Sequence, residues 1–285
     1  MKIESVFVAS HLAEESDEAI RQGDRWARAH GARLTVGFVL PAVLSANPVS
    51  PRYAEFETID LLAAERRASE LLTDRARELT GRGADDLTTV VTTGRRLEGI
   101  LSSAKSARAD LLVVGPDSSD EATLAERVAR LSPCPVLVAR PTRGGGVIVG
   151  TDLSDPSLPA VRAALAYAKQ HGAPLSVLHA IESPSGALAK MFGLLGVKAP
   201  EPRNRVPEVR ARLQAWLEVQ QAASAEVILL EDDPAGALVR LSAERRSDLV
   251  VIGTRGWSEE ADLPFGRVAE VVTREARCSV LVVRI

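Results

Sequence analysis

The chain repeats itself at a spacing of about 140 residues, and this repeat restricts its possible folds more than any other feature. Ala29-His-Gly-Ala-Arg-Leu34 returns as Gln170-His-Gly-Ala-Pro-Leu175, and Arg108-Ala-Asp-Leu-Leu-Val-Val-Gly115 as Arg246-Ser-Asp-Leu-Val-Val-Ile-Gly253. Cys134-Pro-Val-Leu-Val138 returns as Cys278-Ser-Val-Leu-Val282. The offsets between paired positions are 141, 138 and 144 residues, close enough to constant for a duplicated domain whose loops have changed length.

Each copy alternates short apolar runs with segments of helical period. In the first half the pattern predicts strands at Ser5–Ala9, Arg33–Leu40, Leu87–Thr92, Asp110–Gly115 and Val136–Arg140. Helices are predicted at Ser16–His30, Ile59–Thr80, Leu97–Ala107 and Glu121–Leu131. Leu61, Ala64, Ala68, Leu71, Leu72, Ala76 and Leu79 supply the apolar stripe of the longest helix, and Gly81 ends it. Parallel neighbours need a helix-length connection, so this alternation predicts parallel sheets with right-handed crossovers. Pro141–Gly146 reads as a joint, after which Val147-Ile-Val-Gly-Thr-Asp-Leu-Ser154 restarts the pattern. Domains are therefore expected at 1–140 and 147–285.

At 285 residues and 46% hydrophobic content there is material for two cores. A net charge of −3, from 35 basic and 38 acidic residues without long blocks, argues against a nucleic-acid or anionic-membrane partner. Two cysteines, Cys134 and Cys278, are too few for a disulfide framework and read as buried filler in a reducing, cytoplasmic setting. No signal peptide or membrane span is recognisable. Leu188–Val197 is apolar for a loop and reads either as a short packed helix or as a lid or ligand contact. Trp26 and Trp216 read as core, whereas Trp257 follows a glycine loop. His11, His30, His171 and His179 form no nucleophile, base and orienter set, and no cluster has metal-ligand spacing. An enzyme is not expected, beyond slow ATP hydrolysis at most.

The last strand-to-helix passage carries chemistry. Asp248-Leu-Val-Val-Ile-Gly253-Thr-Arg-Gly256 is followed, after nine intervening residues, by Gly266-Arg-Val-Ala. Glycines let backbone N–H groups approach an anion, and a helix N-terminus adds unpaired donors and positive potential. Together with the Asp152-Leu-Ser154 loop and the Cys-x-Val-Leu-Val endings, both halves resemble the universal stress protein family over nearly the whole chain. The resemblance implies two tandem Rossmann-like α/β domains, each a five-stranded parallel sheet sandwiched by helices, packed as an intramolecular pseudo-dimer. It implies a stress-response role and, in one branch, ATP held by Gly-x2-Gly-x9-Gly followed by Ser or Thr. Carried over residue by residue, the nucleotide-binding positions are Thr151, Asp152, Gly253, Arg255, Gly256, Gly266, Arg267 and Val268.

Arg267 departs from that pattern, since it replaces the expected hydroxyl. It reads either as a bidentate phosphate ligand or as a plug paired with Glu259, Glu260 or Asp262. The first half departs further. His11 stands in for Asp152, Gly115-Pro-Asp-Ser118 lacks the second glycine, Ala122-Thr123 replaces the third, and six loop residues are deleted. That half reads as a scaffold. The expectation is thus one ATP or related adenine nucleotide per chain, in a protein that is a monomer by virtue of its pseudo-dimer or a homodimer, with an unknown protein partner. The alternative is a nucleotide-independent interaction protein with both pockets closed.

Overall fold

A computed structural model of the chain describes residues 2–41, 61–116, 124–181, 191, 194–196, 206–255 and 265–284. The chain divides into two compact units, Lys2–Arg140 and Pro141–Ile285. The first runs β1 (Ser5–Ser10), α1 (Asp17–His30), β2 (Arg33–Pro41), α2 (Leu61–Thr80), β3 (Leu87–Gly94), α3 (Arg96–Ser106), β4 (Leu111–Val114), α4 (Leu124–Leu131) and β5 (Val136–Val138). Its strands are all parallel, in the order β3-β2-β1-β4-β5. The second runs β6 (Val147–Gly150), α5 (Leu158–His171), β7 (Leu175–Ala180), α6 (Val206–Val219), β8 (Glu226–Leu230), α7 (Pro234–Glu244), β9 (Leu249–Gly253), α8 (Arg267–Glu275) and β10 (Ser279–Val283). Its order, β8-β7-β6-β9-β10, is again all parallel. Each unit is a five-stranded, Rossmann-like parallel sheet, and the two topologies are identical.

Helices on both faces explain the composition of the strands. Every residue of β1, β4 and β10 is buried, so these strands read as continuous apolar runs rather than as alternating ones. The outermost β3 and β8 are only partly buried and carry Thr or Glu. Along α2 the buried positions are Ala68, Leu72, Ala76 and Thr80, a strict four-residue spacing. Leu71, expected in the apolar stripe, is instead 43% exposed. Trp26 is buried, with His30 stacked on its ring, but Trp216 is only half-buried, and so is Cys134.

Two of the repeated motifs have physical causes. The His-Gly-Ala repeat ends α1 and α5, where Gly31 and Gly172 adopt the left-handed conformation (φ 62° and 60°) that closes a helix. The aspartate of the other repeat ties down backbone. Asp110 Oδ2 accepts from the Glu4 and Ser5 amides at 2.8 and 3.0 Å, and Asp248 Oδ1 from those of Arg143 and Gly144 at 2.6 and 2.5 Å. Each aspartate anchors the chain just ahead of its unit's first strand, before β1 or β6.

Candidate functional site

Strands β6 and β9 are neighbours, and β6 is followed in the chain by β7 on its other side. The strand order therefore reverses between β6 and β9, which leaves a crevice beyond their carboxyl ends. Thr151 and Asp152 leave β6 at this point. Thr151 is buried, and its hydroxyl pairs with that of Ser157 at 2.7 Å and accepts from the Leu153 amide at 3.0 Å. Its carbonyl meets His179 Nδ1 at 2.8 Å. Leu153 is thereby held at φ 64°, a strained conformation for a branched residue. Asp152 is exposed, and its Oδ1 accepts from the amide and hydroxyl of Ser154 at 3.0 and 2.5 Å.

Gly253 ends β9 in register with Val283 of β10. The buried Thr254 follows it. The Thr254 amide donates to Val283 O at 3.0 Å, and its carbonyl accepts from the Gly266 amide at 2.8 Å. Thr254 and Gly266 thus form the neck of the loop between them. Arg255 is exposed at the loop's start, and Gly256 and Trp257 lie outside the described residues. Gly266 caps α8 with φ −77°, and among the described residues no side chain caps this helix. The first-turn amides, those of Arg267 and Val268 among them, have no partner within the helix. A Cβ at Gly266 would meet only Thr254 O, at an ordinary 3.5 Å. Packing among the described residues does not demand glycine here. Helix-start amides and guanidinium groups are donors of the kind that phosphate oxygens accept.

The Arg267 side chain is 79% exposed, and its Nη2 lies 3.3 Å from Asp233 Oδ1. Its ion-pair partner among the described residues is therefore Asp233. The partners proposed for a plug, Glu259, Glu260 and Asp262, lie outside the described residues. Asp233 also caps α7, accepting from the Gly236 amide through Oδ2 at 2.9 Å. Sequence reasoning missed Asp233, although Asp followed by Pro at the head of a helical segment is a recognisable N-terminal signal. Beside it, the Arg240 guanidinium, 2.8 Å away, holds the Asp232 carboxyl below its ordinary pKa.

The corresponding loop of the first unit has the same shape with different chemistry. Ser10 and Ser16 hydroxyls pair at 3.0 Å, the Leu12 amide donates to Ser10 Oγ at 3.2 Å, and Leu12 also has φ 64°. His11 Nδ1 accepts from the Ala13 amide at 3.3 Å, as Asp152 Oδ1 accepts from Ser154. An imidazole nitrogen here replaces a carboxylate oxygen in the same turn.

A sequence model described as the universal stress protein family matches residues 3–140 and again 146–284. The chain belongs to the universal stress protein family. A universal stress protein of Thermus aquaticus is 33% identical over 138 residues, spanning 48% of this chain and 97% of the relative. Another, of Mycobacterium tuberculosis, is 32% identical over 139 residues, spanning 48% of this chain and 44% of the relative. In fold, the chain is similar to a crystal structure of a universal stress protein from Archaeoglobus fulgidus. The TM-score is 0.67 at 17% identity, over 98% of this chain and 96% of that one. As a tandem universal stress protein the chain carries two copies of the family's domain. Among the described residues no helix is long and apolar enough to cross a membrane, and no group of three or more His, Cys, Asp or Glu could hold a metal ion.

Proposed function

We propose that the second unit binds an adenine nucleotide, ATP or a relative of it, and that the chain is a nucleotide-sensing stress-response protein rather than an enzyme. The observation that carries this reading is that the loop after β6, with Asp152, and the helix start at Gly266 after β9 follow two strands that are neighbours at the reversal of the sheet. Thr151 and Asp152 line the β6 side of the crevice, where a carboxylate suits ribose hydroxyls or the adenine amine. Gly253, Arg255, Gly266, Arg267 and Val268 supply the opposite side, where backbone N–H groups and guanidinium suit phosphate oxygens; Gly256 joins them by its place in the glycine motif of the sequence. Among the described residues neither side brings a nucleophile and base together. The nucleotide then acts through binding, by shifting the affinity of the chain for a protein partner.

The test is direct. Protein purified without added nucleotide, denatured and chromatographed, is expected to release an adenine nucleotide in at most equimolar amount. Absence of released nucleotide, combined with no calorimetric response to ATP, ADP or AMP, would leave only a nucleotide-independent interaction protein.

A further inference from the structure

The first unit reads from sequence as a scaffold, yet it holds a narrow cavity at the carboxyl ends of β1, β2 and β4. Ser10, His11, Phe38, Arg96, Gly115 and Leu124 are among its lining residues. This is the first unit's own point of strand reversal, between β1 and β4, where open α/β sheets receive ligands. Its volume is about 30 Å³. That is room for about two waters, the size of a carboxylate or phosphate head and not of a nucleoside.

Duplication supplies an internal comparison. The helix start beside the second unit's crevice is Asp233-Pro234, with a carboxylate cap. The aligned start of α3 is Arg95-Arg96, with no side-chain cap. Two cations at the positive end of a helix are unfavourable unless an anion is held nearby. Arg95 is 3.4 Å from Glu98, but Arg96, which lines the cavity, makes no ion pair or hydrogen bond among the described residues. On the facing lip, His11 removes the charge that Asp152 carries in the other copy. Its Nδ1 accepts from the Ala13 amide, so the neutral ring keeps its hydrogen on Nε2 as a donor. The second unit carries its cations on the other wall, at Arg255 and Arg267.

We propose that the first-unit cleft is a binding site for a small oxyanion, a carboxylate or phosphate group held by Arg96, with any carbon body lying against Phe38, Val39 and Ile100. The site does not depend on nucleotide binding by the second unit. Its test uses the full chain, labelled for amide NMR and titrated separately with inorganic phosphate and with acetate, with chloride as the ionic-strength control. At least one oxyanion is expected to give saturable shifts at His11, Arg96 and Gly115. A response to phosphate alone assigns a phosphate-bearing ligand, and a response to both assigns oxyanions generally. R96Q, at an exposed position, should weaken binding about 10- to 100-fold, as for the loss of a charge-assisted hydrogen bond. R96K should restore part of it, and R267A should leave it unchanged. Shifts that persist in R96Q would overturn the proposal. So would no saturable shift with either anion, the result expected if the acidic sequence Asp117–Glu121 already neutralises Arg96.

Discussion

At the residue scale, the balance at Arg267 decides whether the second unit can hold phosphate. Its guanidinium is shared with Asp233 across 3.3 Å, in a pair whose side chains are 79% and 43% exposed. Exposed pairs of this kind contribute about 0–1 kcal/mol. A hydrogen bond from a cation to a phosphate oxygen in a partly desolvated cleft contributes about 1.5–3 kcal/mol. By this comparison a bound phosphate would displace Asp233 from Arg267. Arg267→Ala is expected to weaken ATP by about 1.5–3 kcal/mol while leaving adenosine nearly unchanged. Asp233→Asn keeps an oxygen to cap α7 and removes the competing charge, so it should tighten ATP by up to about 1 kcal/mol. Isothermal titration of both variants and of the double variant checks the pair. Tighter ATP binding by Arg267→Ala would contradict the phosphate-ligand role. Asp233 was not legible as Arg267's partner because the two are 34 positions apart and meet only through the packing of α7 against α8. His11 was legible as a substitution for Asp152. That an imidazole could preserve the turn was not, because the turn depends on an acceptor two residues before an amide and is indifferent to charge.

At the scale of elements, the sequence located strands and helices well because burial on both faces leaves central strands continuously apolar. The predicted helix Ser16–His30 agrees with α1 to within one residue at its start and at its end, where Gly31 marks the boundary chemically. The prediction failed where apolar residues sit outside the packed face. Leu71 faces solvent because α2 buries only its 68-72-76-80 row. The inserted Leu188–Val197 lies mostly outside the described residues, and of those described Met191, Leu194 and Leu195 are exposed. Tertiary ties between elements were invisible in sequence, and one of them is testable by pH. Arg245, at the end of α7, pairs with Glu226 at the start of β8 through Nη2 and Oε1 at 2.9 Å, and Ser176 of β7 donates to Glu226 at 2.8 Å. The Arg245 contact, aided by Ser176, lowers the Glu226 carboxyl from 4.5 to about 2. A depressed carboxylate pKa means that the unfolded chain takes up the proton first. The tie is intact above about pH 4.5 and is lost as pH falls toward 2. Glu226 is half exposed, so screening limits the effect to about 1 kcal/mol. Urea unfolding should show Glu226→Gln less stable than the parent at pH 6, with the difference shrinking as pH falls through 4 toward 2. A gap that widened on acidification would contradict this assignment.

At the scale of the whole molecule, the two copies of one fold differ at the proposed nucleotide cleft, and this predicts stoichiometry. Both units place a β-strand loop and a helix start at the reversal of a five-stranded parallel sheet. Only the second pairs a carboxylate at that loop, Asp152, with glycines at 253, 256 and 266. In the first, His11 holds the same turn without the charge, and Pro116 follows Gly115 directly. Its loop is six residues shorter, as the rise in repeat offset from 138 to 144 requires. Fewer residues leave fewer backbone N–H groups to surround phosphates, and a cavity of about 30 Å³ does not admit a purine. Calorimetric titration with ATP is therefore expected to give one site per chain. Gly256→Val should abolish that heat by putting a branched side chain where phosphate must approach the backbone. Arg96→Gln, in the other unit, should leave both the stoichiometry and the affinity for ATP unchanged. Two equivalent sites, or ATP binding lost in Arg96→Gln and kept in Gly256→Val, would mean that the altered first unit, and not the second, holds the nucleotide.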